Sequence, residues 1–382
     1  MYTIYITAPN VLDPYLGPSV VAHNTLKGFL TIKNELEREN IALTFISIPS
    51  CDRRGVVQLD ECIKVINMKL YPPVTFTGEL QAFLKMHRLN NPNLVHSHDI
   101  YSIFPWINKT KTVFTLHGIL WKERMYKGPY MRTSLWLNER RFRSFYNLLT
   151  RFTAISPYVL KELSQKGFDL SKTVIIENPI SDEFFNVEKS EDSVILYPAT
   201  ITARKNQLGF LRSVAVAKPE LSDFEIWIVG GIGDKSYFET LTEFVRKEDL
   251  RNVKFLGKVP YEKLLELYSK SSIVALTSFQ ETTPMVIAEA MATETPVIAS
   301  RAGGMPYMVK HCKTGHIVSP SNPEEIAESL LILASDVRLR KRMGKLAKKE
   351  ALRRWRAEVI CKKLIRLYVS TIQGTDSQLE VC

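Results

Sequence analysis

Residues 278–292 read Ser-Phe-Gln-Glu-Thr-Thr-Pro-Met-Val-Ile-Ala-Glu-Ala-Met-Ala. The apolar run Ile273 to Thr277 comes just before them, so a strand passes through a short polar loop into a helix. Thr283 is placed as the N-cap and Pro284 at the first helical position, where its missing N–H is tolerated. The stretch from Thr283 to Met285 then offers free backbone N–H groups and the positive end of the helix dipole, and Thr282, Thr283, Pro284 and Met285 are all candidate binding residues. Such a turn suits an anion, a diphosphate for example, without a glycine loop. Glu289 follows among Ala288, Ala290, Met291 and Ala292, and these small apolar neighbours predict burial. A buried carboxylate needs partners. Two ribose hydroxyls would serve, as they do for acidic residues in dinucleotide-binding folds; an internal arginine or a backbone N–H is the competing partner.

The same strand-to-helix grammar extends in both directions. Strands are expected at residues 3–8, 42–48, 93–96, 112–116, 152–155 and 173–176, with helical patterns over 18–39 and 157–166. After Asn178 the chain turns polar through Glu188-Lys-Ser-Glu-Asp, which reads as a linker. Strands resume at 193–197, 225–229, 252–256, 273–277, 296–299 and 315–318, and three helices follow from Glu324. Alternating strands and helices define the α/β class with parallel sheets. A chain of 382 residues exceeds one compact core, so two domains are expected. We set them at 1–185 and 190–354, with a C-terminal helix at 355–373. Doubly wound sheets bind ligands beyond the carboxyl ends of their strands, which is where the unusual residues fall.

One of these places is Tyr197-Pro-Ala-Thr-Ile-Thr-Ala-Arg-Lys-Asn-Gln, again a strand end passing into a helix. Arg204 and Lys205 would neutralise phosphates there, and Lys205 would stabilise a leaving diphosphate as its charge grows. The competing reading is a solvated loop pair.

The five cysteines are scattered and form no zinc-type spacing, so a reducing, cytoplasmic setting is expected. The start of the chain carries no leader pattern, and no run of about 18 apolar residues reads as a membrane span. The net charge of +11 is concentrated. Between Trp121 and Arg151, eight Lys/Arg face Glu123 and Glu139, interleaved with aromatics; between Arg338 and Arg366, thirteen face Glu350 and Glu358. The first of these segments suits peripheral contact with an anionic membrane, at the inner face in a cytoplasmic protein, or else an ordinary solvated helix face. No nucleic-acid motif accompanies the charge, and nucleic acid is not expected as a partner.

The pair Glu281 and Glu289, with Ser278 ahead of it, resembles the E-x7-E signature of glycosyltransferase family 4. The resemblance spans nearly the whole chain. It includes Phe152-Thr-Ala-Ile-Ser-Pro, Glu177-Asn-Pro-Ile, Ile228-Val-Gly-Gly, Phe255-Leu-Gly-Lys-Val, Pro296-Val-Ile-Ala-Ser-Arg-Ala-Gly-Gly-Met-Pro and Thr314-Gly-His-Ile-Val. It implies a GT-B fold: two Rossmann-like domains facing across a cleft, the second holding the donor. It also implies metal-independent transfer of a sugar from a nucleotide diphosphate, of UDP or GDP type, with retention of configuration. The absence of any D-x-D motif agrees with a metal-free site, so neither metal nor cofactor is expected and the nucleotide sugar is a substrate.

Carried over position by position, Glu289 looks like the ribose ligand, Glu281 the residue touching the donor sugar, and Arg204 with Lys205 the diphosphate clamp. His117, at the end of Val113-Phe-Thr-Leu, matches the family histidine near the transferred sugar, while His98 reads as part of the cleft wall. Catalysis is thus assigned to His117, Glu281 and Lys205. In relatives a C-terminal helix packs back on the first domain.

Three positions depart from the pattern. Thr200 stands where relatives carry Arg, Tyr307 replaces a common acid, and Pro18 follows Gly17, leaving only Gly17 as a donor contact in the first loop. The acceptor expected is a glycan or lipid-linked glycan in cell-surface polysaccharide or glycoconjugate synthesis. Rival readings keep the fold with a hydrolase, phosphorylase or epimerase reaction, or make the chain a non-catalytic nucleotide-binding module.

Overall fold

The computed structural model describes residues 1–12, 17–48, 55–68, 84–86, 88–190 and 192–375. The chain divides into two compact units: Met1–Pro179 together with Trp355–Cys382, and Ile180–Arg354.

The first unit is built on β1 (Tyr2–Ala8), β2 (Ile41–Ser47), β3 (Val56–Asp60), β4 (Ile63–Asn67), β5 (Leu94–Ser97), β6 (Lys111–Leu116), β7 (Arg151–Ala154) and β8 (Thr173–Ile175). Their order across the sheet is β3-β4-β2-β1-β5-β6-β7-β8, parallel except for the β3–β4 pair. The central strands are buried on both faces, so that even their polar side chains Thr7, Thr44, Ser47, His96 and Ser97 lie inside. One face packs on the helices Gly17–Thr31 and Ala357–Gln373 through Phe29, Leu26, Ile360, Leu364 and Tyr368. The other packs on Pro129–Tyr146 and Pro157–Gln165 through Phe142, Phe145, Val159 and Leu163. Gly28 makes the first of these contacts close: a Cβ there would lie 2.7 Å from Cys361 Sγ. The long helical pattern of 18–39 is in fact two helices, Gly17–Thr31 and Lys33–Arg38, separated at Ile32.

The second unit holds β9 (Val194–Pro198), β10 (Glu225–Val229), β11 (Val253–Gly257), β12 (Ser271–Leu276), β13 (Val297–Ser300) and β14 (Gly315–Val318). All are parallel, in the order β11-β10-β9-β12-β13-β14. Counted within the unit this is 3-2-1-4-5-6, the doubly wound order whose chain reversal falls between its first and fourth strands, here β9 and β12. In the first unit the corresponding reversal falls between β1 and β5.

Among the described residues no helix is long and apolar enough to cross a membrane. Cys62, Cys312 and Cys361 form no disulfide among the described residues; Cys51 and Cys382 lie outside them.

Candidate functional site: two strand-end clusters

At the reversal in the second unit, the loops after β9 and β12 are tied together. Asn206 is the hinge of that arrangement. It takes a left-handed conformation (φ 57°), which Asn tolerates better than most side chains, and ends the short turn Ala203–Lys205 before the helix Gln207–Val216. Its Nδ2 donates to the carbonyls of Thr277 (3.0 Å) and Pro320 (2.8 Å), so the loops after β9, β12 and β14 share one side chain. The Phe279 N–H donates to the Arg204 carbonyl at 2.9 Å, closing the same seam.

This seam brings Arg204, Lys205 and Glu281 together. Lys205 Nζ lies 2.5 Å from Glu281 Oε1 and Arg204 Nη1 lies 3.4 Å from the same oxygen, while Arg204 also donates to the Gln280 carbonyl at 2.7 Å. Two cations and one carboxylate leave a net charge of +1. The Lys205 side chain is 16% exposed and Glu281 10%, so the charges are only weakly screened yet remain reachable. Behind them, Gly304 N–H donates to the Glu281 carbonyl at 2.9 Å. Gly303 sits at φ +57°, and a Cβ there would lie 1.9 Å from that carbonyl. The glycine pair is therefore what lets the loop after β13 close under Glu281.

The helix following β12 runs from Met285 to Ala292, one residue later than expected. Pro284, with ψ 118°, is the N-cap residue, and the cap makes no side-chain hydrogen bond; the expected cap on Thr283 is not formed. Pro284's extended ψ keeps it outside the first turn. The Thr283 hydroxyl and that of Ser278 are instead buried without hydrogen-bond partners. Thr282 and Pro284 are buried, and Met285 is half-buried.

Glu289 is 8% exposed, as its apolar neighbours predicted. Its partner is neither an arginine nor a backbone N–H but the Tyr268 hydroxyl, which donates to Oε2 at 2.9 Å. Burial pushes the Glu289 carboxyl up to about 7, with the Tyr268 hydrogen bond opposing the shift. No cation neutralises it among the described residues, and a buried carboxylate with one donor has acceptor capacity to spare. Tyr268, from the helix Tyr261–Lys270, was not singled out by sequence reasoning, because its spacing matches the buried stripe of that helix. Asn206 also went unremarked; an Asn between a strand end and a helix was the available signal.

The first unit carries a different cluster at its strand ends. His96 lies in β5, His98 just beyond it, and His117 just beyond β6. His98 Nδ1 and His117 Nε2 are 2.8 Å apart with their rings stacked. His96 is held at both nitrogens, by Tyr368 Oη and Thr115 Oγ1, each at 2.7 Å. Burial lowers all three: His96 to about 3, His117 to about 4, and His98 well below the ordinary imidazole value. These imidazoles are neutral at pH 7 and can exchange hydrogen bonds but not supply a charge. Gly17, the first residue of its helix, is exposed, and a Cβ there would meet open space. Among the described residues one group of potential metal ligands is close enough to share an ion, Glu37, Asp60 and Cys62, and Asp60 is already paired with Lys33 at 3.0 Å.

Two doubly wound α/β units, one with an anion-type cluster at its chain reversal, define a GT-B architecture. Similarity to known proteins agrees with it. The family model "Glycosyltransferase Family 4" matches residues 29–184, and "Glycosyl transferases group 1" matches 180–350. The chain belongs to glycosyltransferase family 4, and it is a transferase of the GT-B fold. It is 26% identical over 362 residues, 82% of each chain, to the D-inositol 3-phosphate glycosyltransferase of Corynebacterium urealyticum. With the N-acetyl-alpha-D-glucosaminyl L-malate synthase of Bacillus anthracis it is 29% identical over 143 residues, only 37% of either chain. Among solved structures, Anabaena Alr3699/HepE in complex with UDP and glucose superposes with TM-score 0.72 at 18% identity, covering 97% of this chain and all of that one. The sucrose-phosphate synthase of Thermosynechococcus elongatus gives 0.75 at 16% identity, covering 98% and 100%.

Proposed function

We propose that the chain is a retaining, metal-independent glycosyltransferase that moves a sugar from a UDP- or GDP-type donor to a glycan or lipid-linked glycan acceptor. The observation that carries this reading is the seam between the loops after β9 and β12, where Arg204, Lys205 and Glu281 meet, followed in the next helix by an unneutralised, nearly buried Glu289. A diphosphate would take over the two cations now shared by one carboxylate. Glu289 would accept from ribose hydroxyls, with Tyr268 fixing its orientation. The unpartnered Thr283 hydroxyl and the turn Thr282 to Met285 would serve phosphate oxygens. Glu281, freed in part from Lys205, would face the donor sugar.

In this reading the acceptor hydroxyl attacks the anomeric carbon from the side the nucleotide leaves. The bond to the phosphate oxygen breaks as the bond to the acceptor forms, and that oxygen takes the proton. Lys205 stabilises the charge that grows on the diphosphate. The neutral His117 can hold a sugar hydroxyl but does not supply a cation. A role in cell-surface polysaccharide or glycoconjugate synthesis and a cytoplasmic location belong to the same proposal, as does the nucleotide-sugar partner. UDP accompanies the related Anabaena structure.

The test is thermal shift against a panel of UDP- and GDP-sugars, followed by transfer assays with EDTA present. A saturating ligand at 100 times its dissociation constant adds about 2.7 kcal/mol. Stabilisation by no nucleotide sugar, or turnover that needs an added divalent ion, would overturn the reading. Turnover without acceptor would point to a hydrolase or epimerase instead.

A further inference from the structure

The solvent face of the helix Pro129–Tyr146 has an unusual composition. Tyr130 is 85% exposed, and Met131, Arg132, Thr133, Trp136, Leu137, Arg140, Arg143 and Ser144 are exposed with it. No acid is exposed on this face. The helix's one carboxylate, Glu139, is turned inward and held by Arg124 (3.3 Å), Arg143 (3.7 Å) and Lys166 (3.9 Å). Met125 and Tyr126 extend the apolar surface at the helix's N-terminal end. Thus six exposed large apolar side chains fall within 13 residues, from Met125 to Leu137, and every exposed charge among them is positive.

Two local features hold the face together. Arg140 lies over the Trp136 ring, 4.9 Å from its centroid, which keeps a cation and an aromatic plane side by side at the surface. Beneath the helix's N-terminal end is an open groove of about 700 Å³ that includes Lys122, Arg124, Arg132 and Lys166, with Trp121 and Met125 at its apolar wall. The groove's acid, Glu162, is already occupied by the Trp121 indole (2.9 Å) and by Lys122 (3.1 Å). The groove therefore keeps a positive balance.

A face that is only solvated has no need of exposed Tyr130, Trp136 and Leu137, and one made for a neutral apolar partner has no need of uncompensated arginines. An interface between water and anionic headgroups asks for both: aromatics that settle at headgroup depth, aliphatics below, and arginines reaching phosphates. We infer that residues 122–143 form a docking surface for an anionic lipid bilayer, with Tyr130, Trp136 and Leu137 entering the interface and the Lys122–Arg132 groove receiving lipid phosphate. This surface lies wholly in the first unit and stands independently of the donor reading.

The experiment is co-sedimentation of the full chain with vesicles of phosphatidylcholine alone and of phosphatidylcholine with phosphatidylglycerol. Binding is expected only to the latter and is expected to weaken with salt. Each cation at an anionic surface raises partitioning about five-fold. Arg132→Glu with Arg140→Glu should therefore lose at least about ten-fold, and Tyr130→Ala with Trp136→Ala should lose binding at low and at high salt alike. Lys341→Glu with Lys345→Glu, the same charge change in the basic C-terminal region of the second unit, should leave binding within about two-fold of wild type.

Equal loss in that control, equal binding to neutral vesicles, or no binding to either vesicle would overturn the inference. So would a chain that dimerises through this face, read as a dimer abolished by the Tyr130→Ala, Trp136→Ala pair. Circular dichroism and nucleotide titration on each variant separate misfolding, and failure of the donor site, from loss of docking.

Discussion

The two units share a winding rule and differ in what they place at its reversal. In the second unit, the ends of β9 and β12 present two cations against one carboxylate, and the helix after β12 carries a second carboxylate whose pKa is raised by burial to about 7. In the first, the ends of β5 and β6 present stacked, uncharged imidazoles. Identical backbone logic thus yields one end suited to charge and one suited to directional hydrogen bonds. In the proposed reaction the leaving group is charged and the sugar is not, which matches the two kinds of strand end.

The sharpest way to break the comparison is Lys205→Ala. Sugar transfer should fall by about 100- to 1,000-fold in a protein whose circular dichroism is unchanged. Near-wild-type turnover would remove the cation pair from the chemistry.

Glu289→Gln keeps the Tyr268 contact and removes the charge. Nucleotide dissociation constants should rise by about 10- to 100-fold by isothermal titration, the magnitude of hydrogen bonds to an ionised acceptor. The wild-type protein should also bind nucleotide more tightly as pH rises toward 7 and level off above it. That slope should be missing in the variant.

Stability gives the same carboxylate the opposite sign. A group raised from 4.5 to about 7 on folding contributes stability that is fully present below pH 4.5 and lost as pH rises through 7. The unliganded Glu289→Gln protein should therefore be the more stable one at pH 8, by roughly 3 kcal/mol at most, in urea titrations. Unchanged midpoints at pH 8 would show that Glu289 is not the buried, uncompensated charge described.

The histidines run the other way. Their depressed values mean that the unfolded chain takes up protons first, so stability is complete above pH 6.5 and falls as pH drops toward 4. Between pH 6.5 and 5.5, His117→Gln should lose about 1 kcal/mol less than wild type. An equal loss would remove His117 from the acid response.

The fold was legible wherever burial forces an apolar run. Glu225–Val229 and Gly315–Val318 fall where the sequence places them, and most other strands shift by a residue or two. The hairpin of β3 and β4 was not legible. Val56 and Leu59 are exposed there and polar side chains interrupt the pattern, since an edge strand needs no continuous apolar face. At the site, the meeting of Arg204, Lys205 and Glu281, 76 residues apart for the last two, follows from strand order, which the motif implied through resemblance and not through periodicity. The Tyr268 partner of Glu289 was invisible because a tyrosine at a core-facing helix position looks the same with or without a carboxylate above it. The uncapped Thr283 was misplaced because the Pro284 torsion, and not the side-chain type, decides where the helix opens.

The last helix has a consequence for synthesis. The first unit's sheet is assembled from residues 2 to 175, but the surface formed by Leu26 and Phe29 is covered by Ile360, Leu364 and Tyr368, and His96 is anchored by Tyr368. A ribosome therefore completes the entire second unit before the first can close. Throughout that interval the nascent chain holds an uncovered apolar face, and a message cut short after Arg354 would leave it uncovered for good.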